Sequence, residues 1–187
     1  LTGAALTVSS SMTANDLMTP ETLWSMHRLG SFAVSPQGDR VVYTLSTPDI
    51  QANKNRTAIL TIGIDGTGRK RLTTGQESEV EPTFIADGKR IAFLKGGDLW
   101  TMDCEGQDRK QLSKTGDIEG FKFSPDGKYV AWQSMKNDGY ESDRNRLCVY
   151  ELATGKKNYV SDKFDSNVEG FVWNKDSKSL SFIGVWH

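Results

Sequence analysis

One hairpin pattern, written four times, constrains this chain more than any other feature. It is clearest in Phe121-Lys-Phe-Ser-Pro-Asp-Gly-Lys-Tyr-Val-Ala-Trp132. Ser124-Pro125-Asp126-Gly127 carries the chemistry of a type I turn: a hydroxyl acceptor first, a proline that presets φ second, and a glycine free to take positive φ fourth. A hairpin with a G1 bulge follows. On either side alternate residues are apolar, Phe121 and Phe123 on the incoming strand, Val130 and Trp132 on the outgoing one, which predicts two half-buried strands.

The other copies run from Val34 to Tyr43, from Phe84 to Phe93 and from Trp173 to Phe182. Their turn positions, Gly38, Gly88, Gly127 and Ser177, are spaced by 50, 39 and 50 residues. A repeat near ~40 residues made of short strands indicates the blades of a β-propeller. The fold class is therefore all-β, with four-stranded antiparallel blades of WD40-like or Tol type at about 31–75, 79–116, 118–162 and 167–187. The fourth is written only as far as its second strand, giving about three and a half blades. A propeller stopped there exposes strand edges, so the sequence reads as part of a longer chain, and self-association into a homo-oligomer or aggregate is expected of it alone.

Two hydrophilic insertions fall at the same inter-strand place. Ser46 to Arg56 joins the second and third strands of the first blade, and Lys136 to Asn145 does so in the third. Lys95-Gly96-Gly97 closes the same connection tightly in the second. Before the blades, Thr19 to Gly30 reads as a helix: Thr19 as N-cap, Pro20 at the first helical position, Glu21 at the positive end of the dipole and Gly30 as the stop. Residues 1–18 precede it. The first fourteen are small, apolar or hydroxylic and uncharged, the pattern of a signal-peptide remnant or of a disordered arm. No later run approaches the ~20 apolar residues of a membrane span.

Charge excludes one class of partner. Lys plus Arg number 23 against 24 Asp plus Glu, with no block of either sign, so a nucleic-acid-binding face is not expected. Cys104 and Cys148 fall at unmatched places in their repeats and read as reduced, structural thiols. Asp87, Asp126 and Asp176 recur at the turns, where local turn chemistry explains them better than a calcium site. Trp100, Trp132 and Trp173 occupy strand positions that put bulk between wedge-shaped blades. No Gly-x-Ser-x-Gly elbow is present, and His27, on the expected helix, has no nucleophile context. No catalytic residue, metal ligand or cofactor is assigned.

The order of a short leading helix, Pro20-Glu-Thr-Leu-Trp24, then Arg28-Leu-Gly30, then Ser35-Pro-Gln-Gly-Asp-Arg-Val-Val-Tyr43 and further Ser-Pro-Asp-Gly hairpins with Asp98-Leu-Trp-Thr-Met-Asp103, resembles the start of the prolyl-oligopeptidase family of serine peptidases. The bacterial dipeptidyl-peptidase and acylaminoacyl-peptidase branches are the nearest in pattern, and Thr19 to Gly184 is covered. The blade motifs themselves are shared with Tol-type periplasmic propellers that bind protein partners. The resemblance implies a secreted or periplasmic exopeptidase for short peptides, with a C-terminal α/β-hydrolase domain and a propeller that restricts access to it. Some dipeptidyl peptidases hold the substrate's free amine with glutamates from a propeller insertion. That implies a substrate-binding role for Glu141, which here is followed by Asp143 rather than paired with a second glutamate.

Overall fold

The computed structural model describes residues 18–116, 118, 120–135 and 144–185. Three four-stranded antiparallel sheets follow one another in chain order, each a simple meander. The first holds β1 (Arg28–Val34), β2 (Arg40–Asp49), β3 (Lys54–Gly63) and β4 (Lys70–Arg71). The second holds β5 (Glu79–Phe84), β6 (Arg90–Lys95), β7 (Asp98–Asp103) and β8 (Lys110–Gln111). The third holds β9 (Phe121–Phe123), β10 (Tyr129–Ser134), β11 (Arg146–Glu151) and β12 (Lys157–Tyr159). A two-stranded sheet, β13 (Asn167–Trp173) with β14 (Leu180–Val185), comes last.

All four repeated turns close in the same way. Gly127 N donates to Ser124 O at 2.8 Å and Ser124 N to Tyr129 O at 2.9 Å; the same pair of bonds recurs around Gly38, Gly88 and Ser177. Gly127 takes φ 69°, as the bulged turn requires, and Ser177 takes φ 59° in its place without being glycine. The turns also touch one another from blade to blade. Gln37 Nε2 donates to Asp87 O at 3.2 Å, Gly127 lies against Ala86, and Asp126 N donates to Ser177 Oγ at 3.0 Å.

Strand alternation sorts apolar side chains between seams rather than between a core and solvent. On β6, Ile91 and Phe93 face the first blade and pack with Val42, Ile59 and Leu72; Ala92 and Leu94 face the third and pack with Val130, Trp132 and Ile118. On β10, Ala131 turns the other way, toward Val168 and Phe171 of the last hairpin. The outgoing strand of the organising hairpin is thus buried on both faces, not half-buried. Val130, Ala131 and Trp132 are all 0% exposed, because a middle strand of a blade is covered by a blade on each side.

A buried hydroxyl pins each blade's third strand. Thr73 Oγ1 accepts from Ile59 N, Ser113 Oγ from Leu99 N and Ser161 Oγ from Leu147 N, at 2.8–2.9 Å and always 14 residues apart. Each hydroxyl follows the short fourth strand and satisfies a backbone donor that pairing leaves over. The signal was present in the sequence, as a hydroxyl residue fourteen positions after a buried aliphatic.

The helix is shorter than its sequence suggests. It spans Pro20–Ser25, with Thr19 as N-cap accepting from Thr22 N, and Met26 is already extended. Arg28 and Leu29 pair with Ser46 and Leu45 instead, so Gly30 belongs to β1 and is no helix stop. Ladder hydrogen bonds to β2 outweigh the weak propensity of one further helical turn. The first insertion is likewise regular: Asp49 pairs with Lys54, and β2 and β3 run on as a long hairpin clasped by the Asp49–Arg56 ion pair at 2.7 Å.

Ser177 offers a direct test of turn-to-turn contact. Ser177→Gly relieves a left-handed serine but removes the acceptor for Asp126 N, so its net effect on stability is expected within about 0.5 kcal/mol of zero. Ser177→Ala keeps the strain and loses the bond, and is expected to cost about 1 kcal/mol. Urea unfolding of both variants separates the two contributions: a Ser177→Ala cost near zero would show that the hydroxyl contributes nothing across the seam, and equal effects of the two variants would show that the left-handed backbone carries no strain.

Candidate functional site

The innermost strands of the first three blades, β1, β5 and β9, line a concavity of about 560 Å³ that includes Phe32, Glu81, Thr83, Phe121, Lys122 and Phe123. It is placed there by the meanders, whose first strands lie side by side at the inner wall of the arc. Three of the four innermost strands are bulged near their start: between Leu29 and Phe32, between Val80 and Thr83, and between Val168 and Gly170. A bulge re-aims the side chains beside it. In β5 it puts Glu81 at φ 53°, with its N–H donating to Ser31 Oγ of the neighbouring blade at 3.2 Å. Desolvation raises the Glu81 pKa above the ordinary carboxylate value.

Lys122, on the same wall, is already engaged. Its Nζ donates to Phe171 O at 2.8 Å and stands 5.5 Å from the centre of that ring, while Trp173 Nε1 donates to Lys122 O at 2.9 Å. These contacts sew the third blade to the last hairpin. Phe121 and Phe123 meet edge to face at 6.0 Å.

Most residues singled out from the sequence are placed elsewhere. Glu141, with most of its insertion, lies outside the described residues, as do residues 1–17 and His187. His27 follows the helix rather than standing on it, and its Nδ1 is 2.9 Å from Thr47 Oγ1. Asp87, Asp126 and Asp176 each accept the backbone N–H two residues on, and Asp126 also accepts the Ser124 hydroxyl at 2.7 Å. That hydroxyl and the Lys128 N–H hold the Asp126 pKa below its ordinary value. Among the described residues, no three His, Cys, Asp or Glu side chains gather where they could hold a metal ion. Trp132 is wholly buried between blades and Trp100 and Trp173 only partly. Glu81 was missed by sequence reasoning, because only the bulge reveals its conformation.

Both cysteines are free thiols. Burial pushes Cys148 up from 9.0 to about 12, and Cys104, which donates to Gly88 O at 3.2 Å, is raised for the same reason. The folded state therefore holds the Cys148 proton longer than the unfolded state does. The stability this supplies is present below the unfolded thiol's 9.0 and is lost as pH rises toward about 12. Near neutral pH, brief iodoacetamide treatment followed by mass spectrometry should leave Cys148 unmodified until urea is added. Rapid labelling of native Cys148 would contradict its burial.

Comparison with known proteins gives these surfaces a context. No family model matches the chain. Dipeptidyl-peptidase 5 of Porphyromonas endodontalis is 40% identical over 137 residues, 70% of this chain and 20% of that protein. The protein of the same name from Porphyromonas gingivalis is 26% identical over 327 residues, 96% of this chain and 48% of that protein. The chain thus spans less than half the length of these curated relatives. Among solved structures, the β-propeller domain of the trilobed protease from Pyrococcus furiosus superposes with a TM-score of 0.60 at 18% identity, covering 80% of this chain and 46% of that one. A putative TolB from Agrobacterium tumefaciens reaches 0.56 at 19%, covering 82% and 58%. An oligogalacturonate lyase reaches 0.68 at 11%, covering 83% and 46%, so the fold alone does not choose a chemistry. Sequence identifies the family: this chain belongs to the β-propeller portion of the prolyl-oligopeptidase family, beside the dipeptidyl-peptidase 5 proteins.

Proposed function

We propose that the chain is the substrate-restricting propeller of a secreted or periplasmic serine exopeptidase, a dipeptidyl or acylaminoacyl peptidase, acting on short peptides. The observation that carries this reading is the 40% identity to a dipeptidyl-peptidase 5 across 70% of the chain. In this reading the nucleophile, base and orienting acid belong to an α/β-hydrolase domain of the parent protein, since these 187 residues contain no Gly-x-Ser-x-Gly elbow. The blades contribute a wall past which a peptide reaches that domain. The uncharged run from Leu1 to Ala14 supports export, and no helix among the described residues is long and apolar enough to cross a membrane. Leu29 and Phe32, each 67% exposed on β1, support self-association of the chain on its own, which light scattering measures.

A fluorophosphonate directed at activated serines tests the assignment. It is expected to label the parent protein and to leave a protein of residues 1–187 unlabelled. Specific labelling within residues 1–187 would place the chemistry in the blades, and an unlabelled parent would favour a partner-binding propeller of the TolB kind, a reading to which the TolB superposition lends its support.

A further inference from the structure

Seven residues before the turn position, the four copies carry Ser31, Glu81, Gly120 and Gly170. Three of these are small and one is long and charged. Crowding does not explain the small ones: a Cβ on Gly120 would meet no atom within 4 Å, and one on Gly170 only Ile183 Cδ1 at 4.0 Å. This level of the inner wall is open space into which a single blade puts a carboxylate.

The conformation of Glu81 runs against local preference. It has φ 53°, where non-glycine residues are uncommon, and it precedes Pro82, which presses its neighbour toward extended backbone. The neighbouring blade holds it there through the Ser31 hydroxyl. Strain kept in place by surrounding structure is a mark of a functional position. Among the described residues the carboxylate has no ion-pair or hydrogen-bond partner, and the cation on the same wall, Lys122, is bound to Phe171. Phe32, 67% exposed, lines the same concavity.

An accessible, unpaired carboxylate beside exposed aromatic surface suits a positive charge carried on an apolar arm. We propose that Glu81 recognises a basic peptide side chain, with the lysine ammonium or arginine guanidinium on its carboxylate and the aliphatic arm along Phe32. The proposal rests on the reading of the chain as a peptidase propeller and names the peptides it favours. A peptide's amino terminus lacks the arm that the aromatic wall would cover, so the side chain is the better fit.

Titration calorimetry of the intact parent protein tests this without relying on turnover. The probes are short peptides blocked at both ends, with a central lysine or its uncharged isostere norleucine. The lysine peptide is expected to bind about tenfold more tightly, an advantage that falls with added salt and disappears in Glu81→Gln. Glu81→Gly is expected to abolish the same preference while raising Tm, because it relieves the left-handed strain. Equal binding of the two peptides, or a preference that survives Glu81→Gln, overturns the proposal. So does a third probe, the norleucine peptide with its amino terminus unblocked, if it binds as tightly as the blocked lysine peptide and loses that affinity in Glu81→Gln. A parent that prefers lysine peptides yet escapes the fluorophosphonate upholds the role of Glu81 and removes the peptidase reading, so the two fail separately.

Discussion

Trp132→Ala is expected to cost about 3–5 kcal/mol of unfolding free energy, the range for truncating a buried aromatic. Trp132 is 0% exposed and fills the seam between the second and third blades, among Leu94, Leu99, Ile118 and Val130, with the Tyr150 ring 6.0 Å away. Two rigid sheets cannot close on the void by moving one side chain, so most of the lost contact stays lost. Trp132→Phe should cost well under half as much. It keeps most of the apolar volume and removes an indole N–H that is buried without a hydrogen-bond partner. Denaturant unfolding of both variants in the parent protein reads the two losses. Equal and small effects would mean that the seam is not the core of the arc.

Gly127→Val is expected to cost about 2–5 kcal/mol, from two additive sources. A β-branched residue at φ 69° is forced into the left-handed region, and its Cβ would stand 2.6 Å from Ala86 Cβ in the preceding blade's turn. Lys128→Ala beside it removes only an exposed contact to Asp126 at 3.6 Å and should change stability by less than ~0.5 kcal/mol. Ala86→Gly in the Gly127→Val background separates the two sources: it should recover the part due to the clash and leave the part due to φ. No recovery would show that the turns of adjacent blades do not press on each other.

These two positions also show what was legible in the sequence. The turn at Gly127 was readable because its chemistry is local, and its repetition at Gly38, Gly88 and Ser177 carried the fold from one hairpin to blades. The assignment of Trp132 to bulk between blades was readable from the same repeat. Which neighbour each strand residue faces was not, since Ala131 and Trp132 are equally buried but lie in different seams. Period-2 alternation normally separates core from solvent, and in a middle strand both sides are core. The helix end was misplaced because Arg28 and Leu29 pair with Ser46 and Leu45, partners far beyond the reach of local helix signals. The first insertion looked like a loop because Asp49, Asn53, Lys54 and Asn55 are polar, yet both strands continue through it to the Asp49–Lys54 pair. At the candidate site, Glu81 was invisible from sequence since a bulge register is set by pairing across the sheet, not by the residues in it.

Asp126 and Asp49 place part of the arc's stability under acid control. Local donors lower both carboxylates, the Ser124 hydroxyl and the Lys128 N–H for Asp126, the Ala52 N–H and Arg56 for Asp49. Stability from a lowered carboxylate is present above its unfolded value of 3.8 and is lost as pH falls through the lower folded value. Asp126 is exposed and Asp49 only half-buried, so solvent screens both, and the loss is expected only at strongly acid pH and is small beside the seam contacts.

The proposed role of the blades, a wall restricting what reaches a peptidase site of the parent protein, is tested most directly by the length of the substrate. The parent protein should be given a chromogenic dipeptide substrate and, separately, a long unstructured polypeptide with the same amino-terminal residues. Rapid turnover of the short substrate with little or no cleavage of the long one is the predicted result. Cleavage of both at comparable kcat/KM would contradict the account, because a propeller that admits a long chain as readily as a dipeptide restricts nothing.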